Sequence, residues 1–297
     1  MVYRFEKEKP GETLAGLFVK VIGFRARLER VNIMNKTALV TGASKGIGKS
    51  IAQALVKSGY QVIGTCREPD DLKENEKIPG VIYKKMDLSD EDSIKTLISE
   101  LPSIDVLINN AGSSLMAPVE EISQEVIQGM FQINLFGHIS MIKGVLPGMR
   151  KQKKGLIINI TSFASHTPVP FSAVYASAKS AMETLSMALN NETLQFGVRV
   201  VAVAPVFVST NIYQQKICNV DSDYYPSFKT VSDLRDASID DGVSPHLIAD
   251  QVMKIIQTDN PKVFYAVGKN AGLLHLASKI LPGGFLLKNI RKKFKIS

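Results

Sequence analysis

From Lys36 onward, short apolar runs alternate with amphipathic stretches, the pattern by which strand-helix-strand units build a parallel sheet. The runs predict strands over 37–41, 60–65, 81–87, 104–110, 156–162, 198–205 and 262–267. The helical spacing predicts helices over 46–59, 89–101, about 123–150, 172–196 and 244–258. The expected architecture is one α/β domain over about 34–268, a doubly wound parallel sheet with helices on both faces. The stretch from about Val206 to Gly242 reads as a loop, long for a compact domain, and such loops mark lids or binding segments. Its Phe207, Ile212, Tyr213, Tyr224, Tyr225 and Phe228, together with the run FASHTPVPF before Tyr175, would either line an apolar cleft or pin the segment to the body.

Composition adds little until the charge is located. A chain of 297 residues, 45% hydrophobic, can bury one substantial core. Cys66, Cys218 and four scattered histidines show neither metal-ligand spacing nor a disulfide framework, which suits a reducing, cytoplasmic setting without zinc. The formal charge is +8, yet residues 1–33 and 269–297 hold fourteen of the 36 bases and only four of the 28 acids, so the middle is slightly acidic. That distribution disfavours a nucleic-acid-binding core and fits an anionic membrane surface better. The ending FLLKNIRKKFKIS reads either as an interfacial helix or as a solvated basic helix. No segment offers the roughly 20 uninterrupted apolar residues that a spanning helix needs. The apolar run LAGLFVKVIGF, 14–24, lacks the flanks of a targeting signal, because Glu6, Glu8 and Glu12 precede it and RARLER follows. It is an interfacial helix, or else the natural chain starts at Met34.

Candidate chemistry clusters after predicted strands, where an open α/β sheet holds its ligands. TGASKGIG, 41–48, joins the first strand to the first helix. Its Gly42, Gly46 and Gly48 let amide groups and a helix N-terminus approach a pyrophosphate. After the second strand the chain reads GTCRE: Cys66 stands where an acid would bond a ribose hydroxyl, and Arg67 follows. Arg67 and Lys45 together suit a 2′-phosphate, so the expected cofactor is NADP(H); Glu68 is the competing detail. In YASAK, Tyr175 and Lys179 lie four residues apart and share a helix face. A free phenol titrates near pH 10, and a neighbouring ammonium would ease its proton off.

TGASKGIG, NNAG at 109–112, Asn134 in QINLFG, Ser162 in IINITS and YASAK, taken together and in this order, resemble the motif series of the short-chain dehydrogenase/reductase family, from Lys36 to about Pro205. The resemblance implies a single-domain Rossmann fold and four catalytic residues. Tyr175 would be the acid/base, Ser162 would orient the carbonyl, Lys179 would bind the nicotinamide ribose, and Asn134 would hold a water in a proton relay. It also implies a sheet-supporting role for Asn110, an adenine contact for Asp87, and cofactor contacts from Ser44, Ile47, Leu88, Ala111, Gly112, Pro205, Val208 and Thr210. One departure stands out: Val206 occupies the place of the family's usual glycine in PVFVST and restricts the backbone before Thr210. The tail and the aromatic loop resemble the branch holding hydroxysteroid and retinol dehydrogenases and acyl-dihydroxyacetone-phosphate reductases, which implies a lipophilic carbonyl or alcohol as substrate. The family commonly forms homo-oligomers by pairing long helices. The alternatives are a noncatalytic NADP(H)-binding or membrane-scaffold protein and a reductase of small polar substrates.

Overall fold

The computed structural model describes residues 36–210 and 212–296; the expected extension over 1–33 lies outside the described residues. Nine strands and nine α-helices are described. The strands are β1 (Thr37–Thr41), β2 (Gln61–Cys66), β3 (Val81–Lys85), β4 (Val106–Asn109), β5 (Ser114–Met116), β6 (Gly155–Ile160), β7 (Val198–Pro205), β8 (Gln214–Lys216) and β9 (Phe264–Val267). The helices are α1 (Gly46–Lys57), α2 (Glu91–Ser99), α3 (Gln124–Phe131), α4 (Gly137–Gln152), α5 (Ala173–Thr193), α6 (Tyr225–Asp240), α7 (Pro245–Ile256), α8 (Ala271–Ile280) and α9 (Gly283–Lys293).

Seven strands form one parallel sheet in the order β3-β2-β1-β4-β6-β7-β9, while β5 and β8 pair separately. Every residue of β1 is buried, as a central parallel strand covered on both faces requires. One core layer packs Ile51 and Leu55 of α1 with Ile248, Val252 and Ile255 of α7 against the sheet. The other packs Ile94, Leu97, Met141, Val145, Met149 and Met182 from α2, α4 and α5. Strand order reverses between β1 and β4, so the crevice outside their carboxyl ends is the place for a ligand.

The helix expected over 123–150 is interrupted by a single π turn, Gln132–Phe136, with Asn134 at its middle. Such turns re-aim a side chain at functional sites. Helix α5 is held in register by buried polar links: Asn109 donates to Asn159 at 2.9 Å, Asn159 donates to Ser186 at 2.8 Å, and Asn190 accepts from the Val200 amide at 3.0 Å.

The stretch 206–242 is not a loop. It contains β8 and the sixteen-residue helix α6, whose buried positions Phe228, Val231, Ser232 and Arg235 recur at helical spacing. Of its aromatics, Phe228 packs in a cluster with Met116, Val231 and Phe294, and Phe171 meets both Phe228 and Tyr224 edge-on. These side chains pin the segment, whereas Tyr213 points to solvent. Val206 takes no left-handed conformation; the positive φ of 137° falls on Gly268 of the neighbouring strand end, where an added Cβ would meet the Val206 Cβ at 3.1 Å.

The tail forms α8 and α9, broken at Leu281-Pro282. His275 stacks on Phe264 with ring centroids 4.5 Å apart, and Phe294, 3% exposed, docks the tail against α6. Among the described residues no helix is long and apolar enough to cross a membrane.

Candidate active site

The glycine turn is built to expose its amides. Gly42 and Gly46 have positive φ of 68° and 57°, and a Cβ on Gly48 would sit 2.2 Å from the Gly42 carbonyl oxygen. Lys45 precedes α1 in an extended conformation and provides no side-chain cap, so the first amides of a twelve-residue helix have no protein partner there. Ile47 packs on the core beneath, and Ser44 is half-buried in the turn. This cradle fits a pyrophosphate: amide donors and a helix N-terminus at a glycine turn.

Asn110 ties the ends of β4 and β1 together. Its Nδ2 donates to the Thr41 carbonyl at 2.9 Å and to that of Gly42 at 3.3 Å, while the amides of Asn110 and Ala111 donate to Thr41 Oγ1 at 2.9 and 3.0 Å. At the end of β2, Cys66 is half-buried and Arg67 is exposed, as is Lys45 in the turn. Glu68 is held by Lys85 at 2.9 Å. Asp87 accepts from the amide and hydroxyl of Ser89 at 2.8 and 2.7 Å, and Leu88 is buried beside it.

Asn134 is fully buried and donates from Nδ2 to the Ser113 carbonyl at 3.1 Å, leaving Oδ1 without a partner. Gly112 lies between it and Lys179: an added Cβ would fall 2.8 Å from Asn134 Oδ1 and 3.4 Å from Lys179 Nζ. Ser162 follows β6, and its hydroxyl contacts the phenol of Tyr175. Tyr175 is buried on α5 among Leu115, Ala117 and Met130, with Ala164, Val174 and Ile217 at their edge. Pro205 ends β7. Val208 turns its side chain into the core, and its bridge to Val243 uses the Phe207 carbonyl and the Ser209 amide rather than its own. Thr210 lies against Gly46 of the phosphate turn.

The electrostatics differ from the expected tuning of Tyr175 by Lys179. Lys179 Nζ donates to the Ile160 carbonyl at 3.1 Å, and burial lowers its pKa from 10.5 to about 8. Burial pushes the Tyr175 phenol above its ordinary value, against opposing effects first of the Ser162 hydrogen bond and then of Arg235. The cation felt by Tyr175 in the cofactor-free protein therefore comes from α6. Sequence reasoning missed Arg235; the spacing of Phe228, Val231 and Arg235 within the presumed loop was the available signal. It also missed His138, which burial and the charge of Lys179 drop to about 3, so that the neutral ring donates from Nε2 to the Ala111 carbonyl at 2.8 Å.

The sequence profile described as short chain dehydrogenase matches residues 36–219. The chain belongs to the short-chain dehydrogenase family. It is an oxidoreductase by that membership, and its relatives differ widely in the substrates they are named for. A 3-ketodihydrosphingosine reductase of Bacteroides thetaiotaomicron is 32% identical over 245 residues, covering 81% of this chain and 91% of that protein. Human retinol dehydrogenase 8 is 32% identical over 201 residues, covering 64% of this chain and 65% of that one. A Streptomyces avermitilis short-chain dehydrogenase superposes with a TM-score of 0.73 at 27% identity, covering 86% of this chain and 96% of that one. The closed form of a serine dehydrogenase complexed with NADP+ superposes with a TM-score of 0.66 at 25% identity, covering 78% and 94%.

The buried charge of Lys179 has a stability consequence whose sign is fixed. Between pH 8 and 10.5 the unfolded chain holds a proton that the folded chain lacks, so this residue's contribution to stability rises with pH across that window. Below it the folded protein carries a charge that costs about 3 kcal/mol, partly offset by the bond to Ile160. Lys179→Met should therefore stabilise the cofactor-free protein at pH 7 by about 1–3 kcal/mol in urea melts, with the gain fading towards pH 10.5. A variant no more stable than the parent at pH 7 would contradict this.

Proposed function

We propose that this oxidoreductase uses NADPH to reduce the carbonyl of a lipophilic substrate, with Tyr175 as the proton donor. The observation that carries the reading is the convergence of Ser162, Tyr175 and Lys179 outside the carboxyl ends of the central strands, beside an uncapped glycine turn. Arg67 and Lys45, both exposed near the end of β2 and in the turn, are the groups for a 2′-phosphate. The engagement of Glu68 with Lys85 supports reading it as a loop charge rather than a ribose acid. The amides of the turn and of α1 would hold the pyrophosphate, with Gly42 and Gly48 letting the turn close against Ala111 and Asn110.

When bound, the reduced nicotinamide supplies the hydride. Ser162 donates a hydrogen bond to the substrate oxygen and fixes it beside the phenol. Tyr175 gives that oxygen its proton as negative charge develops there. Lys179 and Asn134, facing each other across Gly112, hold the polar end of the route by which the phenol regains a proton. Leu115, Ala117, Met130 and Val174 around Tyr175 favour an apolar substrate body.

The tail supports a membrane-facing role. Leu273, Leu276, Ile280, Phe285 and Leu287 are exposed on α8 and α9, among Lys279, Lys288, Arg291 and Lys292. This is the composition of an interfacial surface, and it would deliver a lipophilic substrate from an anionic bilayer.

Two measurements test these points. Tyr175→Phe should bind NADPH as the parent does yet reduce a panel of lipophilic carbonyls about a hundredfold more slowly, while the parent binds NADPH about tenfold more tightly than NADH. Retained activity, or equal cofactor affinities, would reject the corresponding assignment. In sedimentation with phosphatidylserine-containing vesicles, the full chain should partition to the lipid and release with salt, and Leu273→Glu with Ile280→Glu should abolish the partitioning; a chain that stays in the supernatant at low salt would remove the membrane role.

A further inference from the structure

Arg235 is the one strongly basic side chain of α6 that the fold buries. It is 8% exposed, on the helix face that also carries Phe228, Val231 and Ser232. Its Nη2 donates to Ser114 Oγ at 2.7 Å, and its Nη1 is shut away from solvent with no hydrogen-bond partner. Ser114 is a neutral acceptor, so it leaves the guanidinium charge unbalanced. The adjacent acid, Asp236, is engaged with Lys216 at 2.5 Å. Among the described residues no carboxylate pairs with Arg235.

Burying a cation without a counter-charge is unfavourable, and such a group marks a place where a ligand can supply the missing anion. The position fits that purpose. Ser114 precedes Leu115, which packs on Tyr175, so the guanidinium sits beside the group proposed to give the substrate its proton. The charges of Arg235 and Tyr175 act on each other: each opposes the effect of burial on the other. The fork retains a free Nη1 and a remaining Nη2 hydrogen, the pair that a carboxylate or phosphate accepts side by side.

We infer that Arg235 is a substrate-binding residue, and that the substrate carries an anionic oxygen group, a carboxylate or a phosphate, within a few bonds of the carbonyl that is reduced. The inference deepens the reductase reading and rests on it for the position of the carbonyl. It narrows the lipophilic class to amphiphiles with a negative end: the apolar surroundings of Tyr175 take the chain, and Arg235 takes the charge. A substrate bearing an ammonium next to its carbonyl is disfavoured at this site by like-charge repulsion.

Matched pairs of probes, alike except for the anion, test it directly. With NADPH, kcat/KM for 3-oxododecanoate should exceed that for its methyl ester by about tenfold or more. Glyceraldehyde 3-phosphate against glyceraldehyde asks the same question of a phosphate, and whichever pair shows the larger preference identifies the anion. In Arg235→Met the acid-to-ester ratio should fall to about one, and Arg235→Lys should restore part of it. Parent ratios near one in both pairs would overturn the proposal. So would Arg235→Met lowering charged and neutral probes by one common factor, since the guanidinium would then serve Tyr175 alone. NADPH binding, followed by its fluorescence, reports on the reductase reading separately. If no probe consumes NADPH, the melting temperature of the NADPH complex decides: dodecanoate should raise it more than dodecan-1-ol does, and Arg235→Met should erase the difference. Equal shifts from the two in the parent protein would overturn the assignment.

Discussion

A buried phenol held next to one buried cation, with a second buried cation one turn along its helix, is the constraint on which the site depends. Tyr175, Lys179 and Arg235 are all at least nine-tenths buried, and among the described residues neither cation has a carboxylate hydrogen-bond partner. In the cofactor-free protein this arrangement works against every ionised form. Burial raises the phenol and lowers both the ammonium and the guanidinium. On the proposed reading, this is where negative charge arrives, from a phosphate-bearing cofactor and from the oxygen of a carbonyl under reduction.

The fold devotes much of its buried polar chemistry to holding that arrangement. Thr41 and Asn110 lock the ends of β1 and β4 at the strand reversal, which fixes the glycine turn relative to Gly112. The π turn puts Asn134 opposite Gly112. The links from Asn109 through Asn159 to Ser186 hold α5 in register, and with it the direction of Tyr175 and Lys179. Helix α6 completes the site from the other side, and the tail braces α6 through Phe294.

The parts legible in the sequence are those whose signals are local. A glycine turn between strand and helix, the acid-free end of β2, and a tyrosine and lysine four residues apart each occupy a few consecutive residues, and each stands where the sequence places it. Strand runs were legible because central parallel strands are apolar on both faces. The segment from 206 to 242 was misread because its Pro226, aspartates and aromatics resemble loop chemistry, and because its buried stripe includes a serine and an arginine where a helix face usually shows aliphatic residues. Arg235 could not be assigned a role from sequence, since its partner Ser114 lies 121 positions away. Val206 stood out as a departure from the family's usual glycine, but the room for its side chain comes from Gly268 at the adjacent strand end, which no linear motif records.

The ionisation of Tyr175 itself tests the account most directly. The absorbance of tyrosinate near 295 nm, taken as the difference between the parent and Tyr175→Phe, isolates this phenol. In the free protein Tyr175 should ionise at higher pH than a free phenol, because burial opposes its charged form, and NADP+ should move that ionisation to lower pH by bringing a positive ring beside it. A phenol that already ionises near neutral pH in the free protein, or one whose titration NADP+ leaves unchanged, would contradict it.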